Sequence, residues 1–61
     1  MNRRAPLTAD EAREIVRDMR AKTSRKAAAA FLKAALRIGN LSADATEIYS
    51  TELRRLETER P

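Results

Sequence analysis

Apolar and polar positions along this chain follow a helical period in three stretches. Ala12, Ile15, Val16 and Met19 recur at i, i+3, i+4 and i+7, the spacing of one helix face. Ala28, Phe31, Leu32, Ala35, Leu36 and Ile38 form a second set, and Ile48, Tyr49, Leu53 and Leu56 a third. At about 100° per residue, the second set continued on one straight helix would fall roughly 160° from the first. A single amphipathic helix does not change faces in that way. The change falls at Lys22-Thr23-Ser24-Arg25-Lys26, where Thr and Ser are weak helix formers but good N-caps. A break near Thr23–Ser24 is therefore predicted, with helices over about 8–22, 24–38 and 42–59. The alternative is one long helix from 8 to 38 whose two halves meet different partners, as a dimer could supply.

The helix ends carry their own signals. Thr8-Ala9-Asp10-Glu11 spells a capping box, with Leu7 and Ala12 at the hydrophobic-staple positions around it. Asp10 and Glu11 also suit the positive end of a helix dipole. Gly39 can adopt the left-handed conformation that closes the second helix. The third helix can start from Ser42 as N-cap, or from Asp44, which opens a second capping box, Asp44-Ala45-Thr46-Glu47. Breakers are otherwise confined to Pro6 and Pro61, near the ends. The expected fold is all-α, with the second and third helices as an antiparallel hairpin because the turn between them is short. Residues 8–60 form one helical domain, preceded by a basic, flexible tail at 1–7.

Composition thins the core of this fold. Hydrophobic residues are 43% of 61, but 12 of those 26 are alanine. A chain of this size buries only about 60% of the surface its unfolded form exposes. Small scaffolds are usually reinforced by disulfides, a metal, oligomerisation or very regular helix packing. With no Cys and no His, disulfides are excluded and the usual metal ligands are missing. Self-association as a homodimeric helical bundle, or close packing through alanine, is then expected. Phe31, Leu32, Ile48, Tyr49, Leu53 and Leu56 are the candidates for a dimer or partner interface. No apolar run is long enough to span a membrane, and the N-terminus lacks the apolar region of a signal peptide, so a cytoplasmic location is expected.

No residue set spells catalysis. His, the commonest general base at neutral pH, is absent, as are a Cys nucleophile, a Gly-rich phosphate loop and a carboxylate metal loop. No enzyme activity, metal or cofactor is expected. Asp10, Glu14 and Asp18 share one helix face, read as solvated and paired within the helix, Glu14 with Arg17 or Asp18 with Lys22. Ser24, Ser42, Ser50 and Thr51 lack a base partner and read as caps or surface positions.

Charge gives the one directional surface signal. The chain carries 13 Lys+Arg against 9 Asp+Glu, net +4. Residues 1–37 hold ten of the bases and four of the acids, so the N-terminal part is +6 and the remainder −2. Arg13, Arg17 and Arg20 stack at i, i+4 and i+7; Arg25 and Lys26 extend the basic region through the break, and Arg3 and Arg4 precede it. Guanidinium forks suit phosphates, and a basic tail can follow a nucleic-acid backbone. These seven residues are the candidate nucleic-acid contacts of a small plasmid- or phage-type regulator. Ala35-Leu36-Arg37-Ile38-Gly39 with Leu41-Ser42 superficially resembles a helix-turn-helix, but the turn is one residue too long and the following helix opens with Asp44 and Glu47. In size, Ala/Leu core and one short turn the chain resembles the plasmid-encoded helical hairpin that binds paired RNA loops as a dimer; those features assign no family. The alternative function is a protein-binding inhibitor or adaptor, antitoxin-like or anti-activator, whose helices dock on a partner protein. A membrane partner is not expected, because the first helix mixes acids with its basic face.

Overall fold

A computed structural model describes residues 5–58, so Arg3 and Arg4 and the last three residues lie outside the described chain. It contains three helices: α1 (Ala9–Lys22), α2 (Arg25–Ile38) and α3 (Ala43–Thr58). The described residues include no β-strand. A single parallel bridge joins Leu7, just before α1, to Leu41, just before α3.

Each boundary follows from local chemistry. Thr8 caps α1 through the capping box: the Glu11 N–H donates to Thr8 Oγ1 at 3.2 Å, and the Thr8 N–H donates to Glu11 Oε1 at 3.0 Å. The helix stops at Thr23, whose backbone is extended. Ser24 then caps α2, its Oγ accepting from the Ala27 N–H at 3.2 Å. The break expected at Thr23–Ser24 is present, and α1 and α2 are separate helices. Gly39 closes α2 at φ 81°, a conformation costly to a side chain with a Cβ. Of the two possible caps for α3, Ser42 is used, accepting from the Ala45 N–H at 3.1 Å. Asp44 instead sits in the first turn, where its charge meets the helix dipole.

The core is built on alanine contacts around two large side chains. Ala12, Val16, Ala28, Leu32, Ala45 and Tyr49 are buried, and Leu32 and Tyr49 are the largest among them. Three of the six are alanine, which lets helix backbones approach closely where a larger side chain would hold them apart. Leu7, Ile15, Met19, Leu36, Ile48, Leu53 and Leu56 pack around this centre, partly exposed. α3 lies against both other helices, which touch each other much less. The segment expected to be a mobile tail through residue 7 is tied down at its last residue. The Leu7 N–H donates to the Asn40 carbonyl at 3.2 Å, and the Ser42 N–H donates back to the Leu7 carbonyl at 3.0 Å.

Two residues of the expected second stripe are not core. Ile38 is 80% exposed and Phe31 44%. The geometry is simple: Ile38 follows Leu36 by two residues, about 200° around a helix. Phe31 lies at the edge of the buried sector, next to Leu32, and meets Tyr49 edge to face, with ring centroids 6.0 Å apart.

Candidate functional site

The arginine stripe of α1 is exposed to solvent, but it does not stand apart as a purely basic ridge. Arg13, Arg17 and Arg20 border a groove of about 950 Å³ between α1 and α3. Five acids border the same groove: Asp10 and Glu14 from α1, and Asp44, Glu47 and Glu52 from α3. Three cations among five carboxylates leave the groove with a formal charge of −2, unfavourable for a phosphate backbone. Arg13 is paired with Asp10 at 3.1 Å, an exposed i, i+3 contact. Arg17 has no ion pair among the described residues, and the pairs expected for Glu14 and Asp18 are not formed there.

Arg20 makes a contact within the chain that its spacing does not announce. Its Nη2 lies 2.8 Å from Glu52 Oε1 and its Nε 3.2 Å from Glu52 Oε2, a two-pronged contact between α1 and α3. Arg55 grips the same carboxylate from the other side, through Nη2 at 2.9 Å and Nε at 3.4 Å. Glu52 is only 6% exposed. Hydrogen bonds from Arg20 first, opposed by burial and aided by Arg55, hold its carboxyl down to about 2. The cluster thus joins α1 to α3. Sequence reasoning passed Glu52 over, although a signal was present. Ala45, Tyr49, Glu52 and Leu56 follow at spacings of four, three and four, so Glu52 occupies a slot on the buried face of α3.

The residues expected at a dimer or partner interface divide in three. Leu32 and Tyr49 are enclosed by their own chain, and burial pushes the Tyr49 phenol above its ordinary value. Ile48, Leu53 and Leu56 pack around the core, partly exposed. Phe31 alone among them presents a large apolar surface to solvent.

Phe31 belongs instead to an uncovered stripe on α2. Ala27, Phe31, Ala34 and Ile38 follow at spacings of four, three and four, and all four are exposed. This is the seam spacing of paired helices. Lys26 and Arg37 run beside the stripe, with Ala30 between, and all three are exposed. α2 carries Arg25, Lys26, Lys33 and Arg37 and no acidic residue. Lys33 leans toward Glu57 at 3.6 Å, whereas Lys26 and Arg37 have no ion pair among the described residues. The basic surface therefore centres on α2 rather than on α1. The sequence does carry a signal for this, a second period: α2 bears apolar stripes on two faces, and Phe31 belongs to the exposed one.

Among the described residues, no group of three or more acidic, His or Cys side chains is placed to hold a metal ion. No described helix is long and apolar enough to cross a membrane. Comparisons with protein-family models, curated proteins and solved structures found no match to the chain.

Proposed function

We propose that this chain is a non-enzymatic docking module that binds a partner protein through the outer face of α2, as an inhibitor or adaptor would. The observation that carries this reading is the exposed stripe of Ala27, Phe31, Ala34 and Ile38. A seam-spaced apolar stripe open to water is costly unless something covers it, and helix-in-groove recognition uses this spacing. In this reading α2 and α3 form an antiparallel hairpin, with Phe31 on Tyr49 and Lys33 near Glu57 as cross-helix contacts. The hairpin holds the outer face of α2 rigid. α1 acts as a brace, fastened by the Leu7–Leu41 bridge and by Arg20 on Glu52.

Nucleic-acid binding is the second reading, favoured by one feature: α2 has four basic residues and no acid to repel a phosphate. It would use Arg25, Lys26 and Arg37 rather than Arg13, Arg17 and Arg20. A homodimeric bundle was expected from the thin core. Like charge along α2 argues against two copies meeting on that face.

Two double variants separate these readings: Phe31→Ser with Ile38→Ser, and Arg25→Ala with Arg37→Ala. The tagged chain and both variants are recovered from producing cells with and without nuclease. We expect a specific protein to stay with the parent and with the arginine variant, and to be lost from the apolar variant. Retention that follows the arginines and disappears with nuclease would overturn the protein-docking reading.

A further inference from the structure

We infer that the element docking on α2 is an acidic amphipathic helix, laid along the stripe with carboxylates facing Lys26 and Arg37. This rests on the protein-docking reading and adds the chemistry of the occupant.

Three observations select it. Ala27, Ala30 and Ala34 leave a shallow trough in which a second helix backbone can come close, because alanine projects only a methyl group. Phe31 and Ile38 bracket the trough as the large side chains that an opposing helix would straddle. Phe31 is held from behind by Tyr49, so it is a preset anchor that loses little freedom on binding. The third observation is charge. Lys26 and Arg37, which have no ion pair among the described residues, lie on the flank of the trough, eleven positions or three turns apart. Carboxylates at matching separation on a helix of three or more turns would meet both. Such rim pairs set orientation and partner choice more than affinity.

The same charge disfavours a second copy of the stripe, which would bring Lys26 and Arg37 against their own kind. A nucleic-acid duplex would satisfy the cations but leave Phe31 and Ile38 uncovered.

The test is fluorescence anisotropy with labelled helical peptides of about four turns. One has a Leu/Ile seam flanked by Glu, a second has the same seam with every Glu replaced by Gln, and a third has Lys in those places. Labelled duplex DNA is the fourth probe. We expect the acidic peptide to bind, with the Gln peptide about tenfold weaker and the Lys peptide weaker still. Phe31→Ala should weaken the acidic peptide by about tenfold or more. Lys26→Glu with Arg37→Glu should reverse the ranking, so that the Lys peptide binds best. That reversal cannot come from unfolding, because an unfolded variant would bind none of them.

Equal binding of the Glu and Gln peptides would overturn the acidic assignment. So would tighter binding of DNA than of any peptide, or sedimentation as a dimer that Phe31→Ala dissociates, which would make a second copy the occupant. If no peptide binds but the apolar variant still loses its protein from cells, the acidic-helix inference fails and protein docking stands. If that loss is also absent, both fail.

Discussion

Glu52 lies on the face of α3 where Ala45, Tyr49 and Leu56 carry the core, yet it is ionised and nearly buried. A carboxylate there is tolerable only because two guanidinium groups answer it, each by a two-pronged contact. This gives Arg20 and Arg17 opposite fates under mutation, although the sequence places them on one stripe. Arg20→Ala should cost about 1–2 kcal/mol, because it strips a buried carboxylate of half its donors while its own side chain is mostly in water. Arg17→Ala should stay within about 0.5 kcal/mol. Urea denaturation followed by circular dichroism distinguishes the two. The same carboxylate makes stability depend on acid. Its folded-state value of about 2 is below the ordinary 4.5. Its stabilisation is therefore complete above about pH 4.5 and is lost as pH falls toward 2. Over that interval the parent should lose about 2–3 kcal/mol more than Glu52→Gln, which has no proton to gain at that site. Parallel curves for the two proteins would show that the cluster contributes nothing.

At the scale of elements, boundaries were the most legible feature of the sequence. Thr8, Ser24, Gly39 and Ser42 each end or begin a helix by chemistry confined to three or four neighbouring residues. Such chemistry needs no knowledge of the rest of the fold. The choice between Ser42 and Asp44 was not legible, because both spell a cap. The bridge from Leu7 to Asn40 and Ser42 places the chain at Ser42 and decides it. Faces were harder to read than ends. α2 bears apolar residues on nearly every side, so period alone could not separate the buried set, Ala28 and Leu32, from the exposed set, Ala27, Phe31, Ala34 and Ile38. Gly39 offers a clean test of one boundary. An added Cβ would meet nothing closer than the Arg37 carbonyl at 3.9 Å, so Gly39→Ala has room and its cost is conformational. It should destabilise the protein by about 1–2 kcal/mol, with little change in the helical content of the folded state. Ser24→Ala should cost about 1 kcal/mol through the lost cap on α2. Thermal melts by circular dichroism measure both.

For the whole molecule, the thin alanine-rich composition argued for help from a second copy. The three-helix arrangement supplies some of that help within one chain: Ala12 and Ala45 are fully enclosed, and α3 is shared as the common wall for α1 and α2. The Arg-rich half of the sequence also reads differently once folded. α3 brings Asp44, Glu47 and Glu52 to the edge of the α1 arginines, a long-range neighbourhood that no local pattern could reveal. The surface left both basic and apolar is the outer face of α2. The most direct measurement places a photo-crosslinking side chain at Ala34, in the middle of that face, or at Asp18, on exposed α1, and irradiates producing cells. The account predicts a discrete protein adduct from position 34 and none from position 18. Adducts at 18 alone, or adducts at 34 that nuclease removes, would contradict it.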